Sequence, residues 1–303
     1  MQRKMRRHIL NRTSIYKASI YIAGFLPVWA LRGIGRLGAF LSYVLIPSAR
    51  ENVRKNLMHL HSDHRKVNRL ARKIFLNYGD YVADWAKLNH ADDNGIKKWF
   101  GSIEGKEVID EGLKRNNGII LLTAHLGNWE LGGLFFGYAN IPINVITAQD
   151  DMQGIAEVRE NSRKIHNVKT ITMNNNAMFF LDIINCLKNN EIVAMLMDRY
   201  REGEGVLVDF FGSPMLLPVG PVRLAKCTGA AVVPAFVVLD EDGKYRAVAD
   251  SIVDMVFTDN NELDIKVNTE KIARVFERYI LKYSDQWYNF TYLWGTSQGR
   301  KKK

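Results

Sequence analysis

Apolar positions along the chain fall into distinct patterns. Short uninterrupted runs rich in Ile, Leu, Val and Met occupy residues 118–123, 143–148, 192–197 and 231–239. Runs of that length predict strands buried on both faces. Between them, apolar residues recur three and four positions apart, which predicts helices over about 129–138, 153–166, 176–189 and 219–228. A late amphipathic helix is expected over 268–285, where Ile272, Val275, Phe276, Tyr279, Ile280 and Tyr283 keep that spacing. From Glu51 to about Lys98 the pattern is helical, polar on one side, with Tyr78, Tyr81, Val82 and Trp85 set to pack on the core. Strands alternating with helices give an α/β fold, a central mixed sheet flanked by helices.

The N-terminal pattern differs. Residues 18–31 (ASIYIAGFLPVWAL) are apolar but broken by Pro27, and a second apolar run covers 37–47. Neither reaches the roughly 20 residues of a simple transmembrane helix. No small-residue cleavage site followed by polar sequence marks a signal peptide.

Charge sharpens this reading. The chain has 42 Lys and Arg against 32 Asp and Glu, a net +10. Nine of the basic residues lie within the first 50 positions, which contain no acid, and four form the tail Arg300 to Lys303. Removing those thirteen leaves 29 basic residues against 32 acidic ones, so the body is slightly acidic. A nucleic-acid enzyme concentrates positive charge around its cleft, so nucleic acid is not the expected partner. Basic residues beside apolar runs suit an anionic membrane surface, with Arg and Lys at the headgroups and Tyr21, Trp29 and Tyr43 near the interface. The competing reading is a helical hairpin that covers the core of a soluble protein. The expected organisation is a membrane-associating segment over 1–50, a single domain over 51–299 and a basic tail over 300–303. Cys186 and Cys227 match no disulfide or zinc spacing and read as reduced core residues. The asparagine tract 174–176 reads as a loop.

The stretch IILLTAHLGNWELGG (119–133) carries the candidate chemistry. A buried strand delivers His125 into a turn, after which an apolar helix begins. On one continuous helix, His125 and Glu130 would stand about 140° apart, so they can meet only if His125 precedes the helix. Gly127 supplies the turn, Asn128 the N-cap, and Glu130 falls in the first turn, where the helix dipole favours a carboxylate. Glu130 is expected to accept a hydrogen bond from one imidazole nitrogen, leaving the other to take a proton from an alcohol attacking an acyl carbonyl. There is no G-x-S-x-G elbow, paired-histidine metal motif or phosphate loop, which argues against hydrolysis through an acyl-enzyme. The chemistry requires no metal or redox cofactor.

AHLGNWE (124–130) resembles the His-x4-Asp/Glu block of the bacterial lipid A biosynthesis acyltransferases, the late lauroyl and myristoyl transferases. The segment 195–234, with Asp198 after a strand, then FFG, TGA and VVP, is similar to the second block of that family. Arg50 to Leu57 (RENVRKNL) and Asp285-Gln286-Trp287 extend the resemblance over about 50–290. The resemblance implies His125 as general base and Glu130 as its orienting partner. It places Asn128, Arg163, Asp198, Arg199, Phe211 and Gly212 at the substrate, with Phe210 and Phe211 shaping an acyl channel. Arg159 competes with Arg163 for the arginine position, because Asn167 replaces the glycine usual in the family. Arg199 stands where the family more often has Gln.

The activity so implied is transfer of a fatty acyl group from a thioester, acyl carrier protein or acyl-CoA, to a hydroxyl of a lipid A precursor or similar glycolipid. It would take place at the cytoplasmic face of the inner membrane. A lysophospholipid or a phosphoinositide glycoside is the alternative acceptor, because the same dyad serves any hydroxyl. A non-catalytic membrane-binding protein that keeps the fold is the rival from another class.

Overall fold

The computed structural model describes residues 20–91, 93–147, 153–173, 178–200 and 204–295. The asparagine tract, the basic tail and six of the nine N-terminal basic residues lie outside the described residues.

Four runs anticipated as strands form the middle of a sheet: β2 (Ile119–Thr123), β3 (Ile143–Thr147), β5 (Ile192–Leu196) and β8 (Ala231–Leu239). Three further strands complete it, β1 (Phe100–Glu104), β4 (Val168–Thr172) and β9 (Tyr245–Ala249), in the order β1-β9-β8-β2-β5-β3-β4. All neighbours are parallel except β8 and β9, so the sheet is mixed. The three unanticipated strands are short and interrupted by polar residues, as in VKTIT and YRAVA. β1 and β4 are edge strands, and half-covered strands show no continuous apolar run. A separate hairpin, β6 (Gly205–Phe210) and β7 (Ser213–Pro218), packs beside the sheet.

The period-two geometry of β2 divides the core. Ile120 and Leu122 face one apolar cluster with Phe236, Phe276 and Trp287. Ile119 and Leu121 face the other, with Leu131, Leu134 and Val233. Helices α5 (Lys106–Lys114) and α6 (Trp129–Tyr138) cover the second face, while α8 (Met178–Lys188), α9 (Gly220–Thr228) and α10 (Asn261–Lys282) pack on the first. α10 begins seven residues before the apolar periodicity does, because the Asn260 side chain caps it by accepting from Leu263 N at 3.1 Å. α7 (Gln153–Ile165) joins β3 to β4.

The region 51–98 is three helices, not one pattern. α1 (Val28–Leu45) turns by 91° into α2 (Pro47–Leu60), and α3 (His64–Leu88) and α4 (Asp93–Lys97) follow. Among the described residues no single helix is long and apolar enough to cross a membrane. α1 lies against α3 at a close crossing: a Cβ on Gly79 would stand 2.5 Å from the Gly35 carbonyl oxygen. On either side of the crossing, Arg32 forks onto Asp84 with two bonds of 2.8 Å, and Arg36 grips Asp80 at 2.8–3.1 Å. Tyr245 adds a hydrogen bond to Asp84 at 2.7 Å. Two arginines expected at lipid headgroups are therefore committed to intramolecular pairs, since a buried aspartate needs a partner more than a surface does. Tyr43 is also turned inward, edge-on to Phe75 at 5.3 Å. Tyr21 and Trp29 remain exposed, together with Phe25, Leu37 and Leu45. Cys227, expected in the core, is exposed near the end of α9.

The crossing predicts that Gly79→Leu undocks α1, because its side chain meets backbone, which cannot rotate away. We expect a loss of about 3 kcal/mol or more in urea unfolding, at the upper end of overpacking effects, and faster proteolysis within residues 20–45. Wild-type stability and cleavage in this variant would contradict the packing described.

Candidate active site

β2 and β5 are hydrogen-bonded neighbours in register, Thr123 opposite Leu196. Each chain runs two residues further, one to His125 and the other to Asp198, so register alone places these side chains together at the carboxyl end of the sheet. This is where open α/β sheets present ligand groups. Nδ1 of His125 lies 2.7 Å from Oδ1 of Asp198. Asp198 is fully buried, and its Oδ2 accepts from Trp287 Nε1 and Asn289 Nδ2, both at 2.9 Å. Burial alone would raise this carboxyl. The opposing charge and hydrogen bond of His125, with Arg199 and the Asn289 amide, outweigh it and hold Asp198 well below the usual carboxylate range. An ionised carboxylate can only accept, so Nδ1 carries the proton and Nε2 is the basic nitrogen.

This corrects the expected pairing. The acid on Nδ1 of His125 is Asp198, which sequence reasoning had assigned to substrate. Glu130 instead receives both arms of the Arg163 fork, Nη2 to Oε1 at 2.7 Å and Nε to Oε2 at 3.1 Å. Both side chains are buried. Burial raises the Glu130 carboxyl, but the positive charges of Arg163 and then Arg159 lower it more, so it stays ionised. The physical reason is distance along the fold: Glu130 leaves the first turn of α6 toward α7, whereas the neighbouring strand end is already beside His125. Arg163, placed at the substrate by the resemblance, spends its fork on Glu130. Arg159 lies half-buried with its guanidinium 5.9 Å from the Trp85 ring.

The turn between β2 and α6 is built as the residues imply. Gly127 sits at φ +62°, and a Cβ there would meet the Val237 oxygen at 1.9 Å. That oxygen accepts from Asn128 N at 2.7 Å. The Asn128 side chain caps α6 by accepting from Leu131 N at 3.0 Å, and the residue is wholly buried. Asn128 is thus a structural cap, not the substrate contact expected of it. Trp129 meets the His125 ring edge-on at 5.2 Å and stacks on Tyr81 at 4.8 Å.

His125, Trp129, Glu130, Arg159, Arg163 and Arg199 all line one cavity of about 2120 Å³. Its walls are mainly apolar, including Leu121, Val145, Ile183, Met195 and Val237. Pockets for drug-sized ligands span about 300–1,000 Å³, so this space suits a larger apolar molecule. Phe211 and Gly212 do not line it. They form the turn of the β6–β7 hairpin, both at positive φ, with Phe210 buried against the Trp294 ring and Phe211 against Trp287. A two-residue hairpin turn uses such φ values, which puts these residues beside the core and away from a channel. Arg199 donates to the Tyr288 carbonyl at 2.5 Å and to Asn289 Oδ1, and so supports the segment that holds Asp198. Trp287 and Asn289 were missed as site residues. The sequence signal was a run of aromatics and an amide after the last helix, WYNF, whose partner lies about 90 positions away.

Arg163→Met is expected to leave the Glu130 carboxylate buried without its fork, which costs about 3–5 kcal/mol. The paired charge lowers the Glu130 carboxyl in the folded state, so its stabilisation is present above the unfolded value of about 4.3 and fades as pH falls below it. Urea unfolding at pH 7 and at pH 3 should therefore show a large deficit of the variant at pH 7 and a smaller one at pH 3. Equal deficits at both would contradict the ionised pair.

The family of bacterial lipid A biosynthesis acyltransferases matches residues 1–296. Phosphatidylinositol mannoside acyltransferase from Mycobacterium tuberculosis strain H37Rv is 23% identical over 281 residues, 90% of this chain and 87% of its own length. The protein of that name from Mycolicibacterium smegmatis is 23% identical over 285 residues, 90% of each chain. Lipid A biosynthesis palmitoleoyltransferase from Escherichia coli K12 is 24% identical over 265 residues, 86% of this chain and 81% of its own. With the match spanning nearly its whole length, the chain belongs to the bacterial lipid A biosynthesis acyltransferase family and is an acyltransferase.

Proposed function

We propose that this acyltransferase moves a fatty acyl group from an acyl thioester, carried by acyl carrier protein or CoA, to a hydroxyl of a membrane glycolipid. The observation that carries the reading is the His125–Asp198 pair at the wall of a large, mainly apolar cavity. Nε2 of His125 removes the proton of the acceptor hydroxyl as its oxygen attacks the thioester carbonyl. The tetrahedral intermediate collapses with cleavage of the C–S bond, and the imidazolium returns the proton to the departing thiolate. Asp198 stabilises the positive charge that His125 holds between these steps. Glu130 and Arg163 shape the wall at the start of α6, and Arg159 beside them is the cation suited to an anionic headgroup or phosphate.

The acceptor class is supported by what the relatives are named for, a lipid A precursor or a mannosylated phosphatidylinositol. The exposed apolar side chains of α1, Trp29, Leu37, Leu41 and Leu45 among them, support attachment to a lipid surface, which we propose, on the family resemblance, to be the cytoplasmic face of the inner membrane. In this reading α1 and the segment before it form the membrane-facing part, and the sheet domain the catalytic part.

The test is transfer from a radiolabelled acyl carrier protein or acyl-CoA to a panel of lipid A precursors, mannosylated phosphatidylinositols and lysophospholipids. Wild type should acylate a glycolipid acceptor, and His125→Ala should lower the rate by about 10²–10⁴ while remaining folded. Selective transfer to lysophospholipids would move the acceptor class. Retained activity in folded His125→Ala would remove the general-base assignment.

A further inference from the structure

The residues after α10 do more than close the fold. A short 3₁₀ turn (Ser284–Gln286) leads into an extended strap that crosses the catalytic turn. The backbones of the two segments pair: Gly127 N donates to Gln286 O at 3.0 Å, and Tyr288 N donates to His125 O at 2.7 Å. The Gln286 amide both donates to and accepts from the Leu239 backbone at 2.8 Å, tying the strap to the end of β8. From this frame two side chains reach the same oxygen of Asp198, Trp287 Nε1 and Asn289 Nδ2, each at 2.9 Å.

The strap is itself gripped from outside. Asn56 of α2, almost fully buried, donates to the carbonyls of Asn289 and Thr291 at 3.0 and 2.8 Å and accepts from Leu293 N at 3.1 Å. Arg199, the residue after Asp198, closes the loop by bonding Asn289 and the Tyr288 carbonyl.

We propose that Trp287 and Asn289 are positioning residues for acyl transfer, which fix the Asp198 carboxylate so that its other oxygen aligns the His125 ring. The inference rests on the acyl-transfer reading above. Neither residue lines the cavity, so neither is expected to touch substrate. A carboxylate has two oxygens and several lone pairs, and a single bond to imidazole leaves it able to rotate. Two donors converging on Oδ2 remove that rotation and leave Oδ1 for Nδ1. Because strap and turn also share backbone bonds, carboxylate and imidazole are set by one segment and move together.

The experiment is steady-state acyl transfer by the full-length enzyme with Trp287→Phe and Asn289→Ala. The first deletes the donor while keeping an aromatic ring in the core, with a smaller volume. The second removes the buried amide. Each is expected to lower kcat on the order of tenfold to 100-fold, the scale of a misplaced catalytic group, with KM within about twofold because ground-state binding is untouched. Melting temperatures identify any loss due to unfolding. If neither variant folds, NMR of the Trp287 indole decides: its N–H signal should lie far downfield in wild type and move upfield in Asp198→Asn. Folded variants with wild-type kcat, or an indole signal unmoved by Asp198→Asn, overturn the proposal. An inactive wild type would instead count against the acyl-transfer reading, and the indole comparison would still test the clamp.

Discussion

The buried carboxylate of Asp198 is the constraint on which the site depends. A charge taken out of water must be met by partners, and among the described residues these are the imidazole of His125 and the two donors of the strap, with the charge of Arg199 beside them. Satisfying Asp198 and orienting His125 are the same event. The sheet register delivers both side chains to one place, the glycine turn aims His125, and the C-terminal strap completes the circle of donors. A site assembled this way is preorganised, since its dipoles are fixed before substrate arrives.

The second acid of the motif has a different role. Glu130 stabilises, and is stabilised by, Arg163, and that buried pair ties the start of α6 to α7 on the cavity wall. The N-terminal region follows the same logic at a larger scale. Arg36 and Arg32 look inward to Asp80 and Asp84, while Trp29, Leu37 and Leu45 look outward. The ion pairs set α1 against the domain through a glycine crossing, so the exposed apolar face has a fixed orientation relative to the cavity.

Much of this was legible in the sequence where interactions are local. Strands buried on both faces showed as continuous apolar runs, and the turn at Gly127 with its Asn128 cap followed from residue type. The family resemblance rested on blocks in order along the chain, and the family match includes that stretch. What stayed hidden was long-range. Short strands interrupted by polar residues, such as the edge strand β4 and its counterpart β9 next to the other edge, carried no run to detect. Glu130 sat near His125 in sequence and invited the wrong pairing. Asp198 is 73 positions from His125, and only the adjacency of β2 and β5 in the sheet brings them together. Phe211 and Gly212 belonged to a matched block, yet their positive φ marks a hairpin turn. Proximity in a motif pointed to the candidate site, while the pairing within it depended on strand order.

The most direct test of this account is the ¹⁵N NMR spectrum of His125 in the folded enzyme near neutral pH. Asp198 as ionised acceptor predicts a protonated Nδ1 and an unprotonated Nε2, a distribution lost in Asp198→Asn. An unprotonated Nδ1 in wild type, or an unchanged tautomer in the variant, would contradict the claim that Asp198 sets the base.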